Sequence, residues 1–401
     1  MSTHSLTTGA AGTSNSAVPP LASLANPTVL TQPAYEPGKP VEVVAREFGL
    51  DPAAVDKLAS NENALGPSPL ALAAARDALA GVNFYPDGGA NLLREKLAAH
   101  WSLSPAQFLV GNGSNEVMIL LAQAFLRAGD EVVFGAEAFI VYKLAALLFG
   151  AKPVAVPMPA HTHDLAALRA AVTPRTKLVF LACPNNPTGT VNTAGDIAEF
   201  ARSLPAHVIL VLDEAYAEYL PDGAALDIRP LVADGVRIVG ARTFSKIYGL
   251  AGLRCGYLYG DAEIVGLAAR ARQPFNVNLV AQTAATAALD DVEFLARARA
   301  ENAAGLRQIE AGLAALGLHY TPSHANFVLF NVPRKAAGSA ATGSATAGEK
   351  IPDAARVFDV LQRRGVIVRP LAGYGMPDSL RVTVGTAAQN ERFLRELAAA
   401  L

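Results

Sequence analysis

Between residues 104 and 260 the chain alternates short apolar runs with longer helical ones, and no other feature restricts its fold as much. Six runs read as strands: residues 131–134, 152–156, 177–182, 208–212, 237–240 and 254–259. Several, such as VILVL, are apolar throughout, which is the composition of parallel strands covered on both faces. The stretches between them place apolar residues three and four apart, most clearly over 115–127 and 140–149, as helices packed on a sheet do. Alternation of this length predicts an α/β fold with a large, doubly wound, mostly parallel sheet. After about Val280 the texture changes. An Ala-, Leu- and Arg-rich helical segment (281–316) leads into NFVLF (326–330), a helix over 354–364, and the runs GVIVRP and LRVTVG, which together predict a smaller α+β domain.

At 401 residues the chain is too long for one ordinary hydrophobic core, so two domains are expected. Its 33 Lys plus Arg nearly cancel 35 Asp plus Glu, leaving no field that favours nucleic acid or anionic lipid; small solutes or protein partners fit better. Cys183 and Cys255 are far apart and lack CxxC spacing, which argues against a disulfide scaffold or a structural zinc and suits a reducing compartment. The first 32 residues lack the basic start and apolar run of a secretory signal and read as a flexible tail. No segment has the roughly 18 uninterrupted apolar residues of a membrane span. A low-complexity stretch, KAAGSAATGSATAGEK (335–350), reads as a surface loop.

Ligands of an open α/β sheet bind at the carboxyl ends of its strands, so polar residues directly after strand runs mark where chemistry belongs. TFSK (243–246) follows RIVGA, and a lysine there can be desolvated into a nucleophilic amine, although a lone loop lysine is ordinarily just solvated. In VILVLDEAYAEY, Asp213 is delivered to a strand end, where it can cap a helix, bind a metal or pair with a pyridinium nitrogen. Tyr216, three residues on, is either a half-buried packing residue or a hydroxyl near a ring oxygen. PNNPTG (184–189) has the prolines and glycine of a tight connection, but a turn does not require amides in its middle, and Asn186 suits the same ring oxygen. GNGSNE (111–116) opens a helix with backbone N–H groups suited to a phosphate. Dinucleotide-binding folds use the same device, but GxGS is not their GxGxxG fingerprint. Arg254, eight residues after Lys246, suits a second phosphate clamp.

In this order and spacing the motifs resemble the fold-type I pyridoxal-phosphate aminotransferases and, within them, the histidinol-phosphate aminotransferase family. The resemblance runs from about Tyr35 through SNENALGPSP, YPDG, GNGSNE, FIVY, PNNPTGT, DEAY, TFSKIYGLAGLRCGY, SHANFVLF, GVIVRP and LRVTVGT. It implies a pyridoxal 5'-phosphate cofactor bound to Lys246 as a Schiff base, with Asp213 on the pyridinium nitrogen, Asn186 and Tyr216 on the ring oxygen and Phe139 stacked on the ring. Around the cofactor phosphate it implies Gly113, Ser114, Asn115, Thr243, Ser245 and Arg254, joined by Tyr85 of a second subunit, hence a homodimer. For substrates it implies Arg381 on the glutamate carboxylate and Arg369 and Tyr35 on a substrate phosphate. The expected reaction is ping-pong amino transfer between L-histidinol phosphate and 2-oxoglutarate, in the cytoplasm, as a step of histidine biosynthesis. The expected divisions are a tail (1–32), an arm (33–60), a large cofactor domain (61–285) and a small domain (286–401).

Two positions depart from the family pattern: Ala64 stands where proline is usual, and Asn115 where aspartate is common, which bears on substrate preference rather than reaction class. Phe139 stands where tyrosine is frequent, with stacking preserved. The alternatives are an aromatic amino-acid aminotransferase, a decarboxylase of a phosphorylated amino acid, and a regulatory sensor, which would need a DNA-binding module. A nicotinamide-dependent dehydrogenase is disfavoured by the missing fingerprint. His161 and His163, in MPAHTHD, read as surface residues rather than metal ligands. Glu62 reads as a tie for the N-terminal segment, and Trp101 as packing.

Overall fold

A computed structural model describes residues 21–32, 38–333 and 353–401. Tyr35 and the 335–350 stretch lie outside these. Residues 21–32 differ from the expected featureless tail, forming short helices at Leu21–Leu24 and Pro27–Thr31. The second is started by Asn26, whose side chain accepts from the Thr28 N–H, and by Pro27 in the first turn. Thr28 then donates its hydroxyl to the Leu148 carbonyl, 3.2 Å away, which ties this segment to the body.

Strand β1 (Asp56–Lys57) belongs to a minor pair. The strands of the main sheet follow: β2 (Phe108–Gly111), β3 (Glu131–Gly135), β4 (Lys152–Val156), β5 (Thr176–Ala182), β6 (Ile209–Asp213), β7 (Ile238–Thr243) and β8 (Gly256–Gly260). Their order is β2-β8-β7-β6-β5-β3-β4. All contacts from β7 to β4 are parallel, while β8 runs antiparallel to both of its neighbours. The alternation along β5 shows why these runs are apolar throughout: Leu178 and Phe180 enter the core on one face, and Val179 and Leu181 the core on the other.

In the C-terminal part, β9 (Tyr320–Thr321), β10 (Phe327–Asn331), β12 (Arg369–Pro370) and β13 (Ser379–Thr383) form an antiparallel sheet ordered β12-β13-β10-β9. Strand β11 (Val366–Ile367) pairs with β1. This sheet has its own core, in which Val328, Phe330, Leu380 and Val382 meet Ile309, Val357 and Phe393 from helices. The segment read as one helix over 281–316 is two, Leu279–Ala288 and Val292–Ala315. Asp291 divides them, because its carboxylate accepts from the Phe294 N–H that opens the second helix and from the Ser68 hydroxyl at 2.5 Å.

Strand β6 ends on Asp213, and its register sets Asp213 between Ala182 of β5 and Ala241 of β7. Because β8 runs antiparallel, its beginning lies beside the ends of its neighbours: Gly256 pairs with both Thr243 and Gly111. Arg254, just before β8, therefore reaches the same edge as residues that follow β2 and β7.

Candidate active site

At that edge lies a cavity of about 130 Å³. Lys246, Asp213, Tyr216, Asn186 and Phe139 line it, together with Ser114, Asn115, Thr243, Ser245 and Arg254. Ten side chains singled out from scattered motifs thus share one wall. Gly113 lies behind Ser114 with φ +81°, and a Cβ there would meet Arg254 Nη2 at 2.7 Å. A Cβ on Gly256 would meet the Gly113 carbonyl carbon and the Ser114 nitrogen at 2.6 Å. Glycine at both places lets Arg254 and the helix start close together.

The helix Gly113–Phe125 begins without a side-chain cap from Asn112, so its first N–H groups face the cavity edge with the positive end of the helix dipole. Arg254 donates to Ser245 Oγ at 3.2 Å, and Thr243 donates to the same oxygen at 2.9 Å. Backbone N–H groups, two hydroxyls and a guanidinium so converge, which is a site for a phosphate-sized anion. Glu116 braces it from behind, accepting from the Asn112 N–H at 2.5 Å and from Asn276 at 2.8 Å.

Lys246 Nζ donates to the Ser60 carbonyl at 3.2 Å and sits 5.6 Å from the centre of the Tyr216 ring. Burial first, and then the charge of Arg381, lower its pKa to about 8, into the range of a usable nucleophile. Asp213 is pushed the other way, up to about 6, chiefly by burial. Its Oδ1 accepts from the Ala215 N–H at 3.1 Å and its Oδ2 from the Tyr142 hydroxyl at 2.6 Å. The Tyr216 hydroxyl, pushed up to about 12 by burial, accepts from Asn61 Nδ2 at 2.8 Å.

Arg381 lies at the rim. One guanidinium nitrogen donates to Asn186 Oδ1, another to the Ala59 carbonyl at 2.8 Å, and the group lies 5.0 Å from the Phe327 ring centre. Register places Arg369 of β12 directly opposite Arg381 of β13, so both arginines leave the same face of the small sheet. Tyr85 is elsewhere: it is 83% exposed and stacks on Phe275 at 4.8 Å, outside the cavity of its own chain.

Two residues near the chemistry carry no role in the sequence reading. Asn61 adopts φ +58° and exchanges hydrogen bonds with Thr383, linking SNEN to LRVTVGT under Tyr216. Tyr142 ends FIVY in the first turn of the helix Val141–Leu148, and its partner Asp213 is 71 residues away, so nothing in the local sequence signalled it. The MPAHTHD expectation is corrected. His163 is buried against Gly135 and Met158, and burial pulls its pKa down to about 4. His161 is half-buried with Nδ1 2.5 Å from Glu137 Oε2, a contact that raises its pKa. Glu62 pairs with Lys57 at 2.5 Å, and Trp101 stacks on Tyr259 at 4.8 Å, in keeping with their structural readings.

A desolvated lysine, a buried carboxylate and an anion cradle at the carboxyl edge of a seven-stranded α/β sheet define a fold-type I transferase. The family model for aminotransferase class I and II matches residues 54–397. Histidinol-phosphate aminotransferase 1 of Thiobacillus denitrificans is 47% identical over 376 residues, covering 94% of this chain and 93% of that one. The enzyme of Symbiobacterium thermophilum is 48% identical, covering 92% and 96%. The crystal structure of histidinol-phosphate aminotransferase from Sinorhizobium meliloti in complex with pyridoxal-5'-phosphate superposes with a TM-score of 0.81 at 29% identity, covering 94% and 96%. The chain belongs to the histidinol-phosphate aminotransferase family within aminotransferase class I and II.

Proposed function

We infer that this chain is a pyridoxal 5'-phosphate-dependent aminotransferase that moves an amino group between L-histidinol phosphate and 2-oxoglutarate. The observation that carries the reading is the cavity itself, a space of about 130 Å³ lined together by an amine, a carboxylate and an anion cradle. The cradle fits such a cofactor because Gly113 and Gly256 let Arg254 close on the helix start, which brings the backbone N–H groups, two hydroxyls and a guanidinium to one place. When bound, pyridoxal 5'-phosphate supplies an electron sink for the charge left at the substrate Cα.

The chain's own residues do the rest. Lys246 would hold the cofactor through its Nζ and, as the amine nearest the reacting carbon, would carry the substrate Cα proton. Asp213 would pair with the ring nitrogen, Tyr216 and Asn186 would hold the ring oxygen, and Phe139 would cover the ring face. Ser114, Asn115, Thr243, Ser245 and Arg254, with the N–H of Gly113, hold the phosphate. Arg381 takes the carboxylate of glutamate by its planar fork.

Arg369 is assigned to the substrate phosphate, and the family resemblance gives Tyr35 the same role. Arg369→Ala is expected to raise KM for histidinol phosphate far more than KM for glutamate. The loss is about 1.5–3 kcal/mol, the cost of removing a charge-assisted bond. Steady-state kinetics with both amino donors reads this, and equal effects on the two would remove the assignment. An aromatic aminotransferase would instead turn over phenylalanine faster and respond little to the substitution.

The same reading includes a homodimer whose sites are completed by Tyr85 of the partner. Tyr85, Phe84, Leu92 and Val82 are 83%, 73%, 74% and 59% exposed, an apolar group of the kind found at interfaces. Mixing Lys246→Ala with Tyr85→Ala protomers is expected to restore activity, because each hybrid dimer has one unmutated site. Hybrids that exchange subunits without regaining activity, or full activity of Tyr85→Ala alone, would contradict shared sites.

We place residues 61–285 in the cofactor domain and 286–401 in the small domain. Cytoplasmic action belongs to this reading. It is supported by two free, buried cysteines.

A further inference from the structure

We propose that Tyr142 is a positioning residue for the chemistry at Asp213: its hydroxyl fixes the plane of the carboxylate and holds it in the anionic form that faces the cofactor's ring nitrogen. The proposal rests on the reading of Asp213 as the partner of that nitrogen.

Asp213 is 5% exposed, and each of its oxygens receives a hydrogen bond. The bond from the Ala215 N–H to Oδ1 is local, formed by the backbone two residues on. The bond from Tyr142 to Oδ2 joins residues 71 apart in the chain. At 2.6 Å it has the length of an O–H···O⁻ bond to a charged acceptor. Together the two donors occupy one lone pair on each oxygen and define how the carboxylate plane is turned, leaving the remaining lone pairs for a donor in the cavity.

Packing alone does not explain a tyrosine at this position. The Tyr142 ring stacks on Phe180 at 4.6 Å and 3°, and meets Phe134 and Phe139 edge-on at 6.2 and 5.9 Å. Phenylalanine would make the same contacts without burying a hydroxyl, whose desolvation is unfavourable unless it is bonded. The stacking also holds the donor rigid. Phe139, on the cavity wall, and Asp213, at its end, are thus braced by one side chain.

The groups acting on Asp213 are Tyr142, Glu214, Lys246 and the Ala215 N–H. Burial pushes the carboxyl up, and the Tyr142 hydroxyl opposes it more than any other neighbour; Glu214 adds to the rise and Lys246 counters it. Tyr142 is itself held well above the ordinary tyrosine value, mainly by burial, so it remains a donor at working pH. Without its hydroxyl Asp213 would be protonated at higher pH, and a neutral carboxyl is a poorer partner for a protonated ring nitrogen.

Tyr142→Phe keeps the ring and removes only the hydroxyl. In the holoenzyme kcat is expected to fall roughly 10- to 100-fold with KM nearly unchanged, up to the size of loss that a slight misplacement of a reacting group causes. The acidic limb of the kcat/KM profile should move to higher pH. A second readout needs no turnover: infrared titration of the cofactor-free protein, with the Asp213 carboxyl band assigned by its loss in Asp213→Asn, should show a higher midpoint in Tyr142→Phe. A kcat within twofold of wild type together with an unmoved midpoint would overturn the proposal, as would a uniform loss of folded protein with normal kcat per folded site. Full activity of Asp213→Asn would instead remove the reading of Asp213, while the infrared titration would still report whether Tyr142 controls that carboxyl.

Discussion

Lys246→Ala is expected to lose turnover by roughly four orders of magnitude or more, the upper end of what one proton-transferring group supplies. Among the described residues no other lysine lines the cavity. Its depressed pKa, about 8, leaves about half of the amine neutral at pH 8, where an ordinary lysine would be almost wholly charged. The substitution removes both the attachment point of the cofactor and the carrier of the Cα proton, which is why its effect exceeds that of any binding residue. Lys246→Arg separates charge from chemistry: arginine keeps the cation but does not deprotonate, so it should be as inactive as alanine. Borohydride reduction of the cofactor-loaded wild type should fix the cofactor to the single peptide that contains Lys246. Label on another lysine would contradict the assignment.

Asp213→Asn is expected to keep the cofactor and lose roughly 10²–10³-fold in kcat, comparable to removing one preorganised electrostatic contact from a transition state. Retention follows from the geometry, because the anion cradle of Ser114, Thr243, Ser245 and Arg254 does not touch Asp213. The loss follows from charge: an amide neither favours a protonated ring nitrogen nor stabilises the charge that the ring receives. Measuring cofactor affinity and kcat on the same preparation tests both halves. Near-normal kcat would contradict the role, and failure to bind cofactor would mean that Asp213 acts in assembly of the site.

Most strands of the main sheet were legible as apolar runs because they are covered on both faces, and the runs of β6 and β7 lead directly into polar residues; the spatial order of the strands was not read. Asp213 and Lys246 follow directly from that pattern. Arg254 was legible by spacing, but the reason for its reach was not, since it depends on β8 running antiparallel beside β2 and β7. Strand β2, FLVG, was not read as one; it is four residues long and pairs only with distant β8. Tyr142 and Asn61 take their significance from partners 71 and 155 residues away, and no local pattern carries such pairings. His163 looked solvated because its sequence neighbours are polar, whereas Gly135 and Met158 enclose it. The break at Asp291 was written in the sequence as an N-cap before VEF and was hidden by the helical composition on both sides.

Single-turnover reaction of the pyridoxal 5'-phosphate form with L-histidinol phosphate, phenylalanine and aspartate, followed by the loss of the cofactor's visible absorbance, tests the central claim most directly. An anion cradle for the cofactor and a separate pair of arginines, Arg381 and Arg369, on one sheet face predict that histidinol phosphate reacts fastest. A faster reaction with phenylalanine would contradict the assigned substrate, and no reaction with any of the three would contradict amino transfer itself.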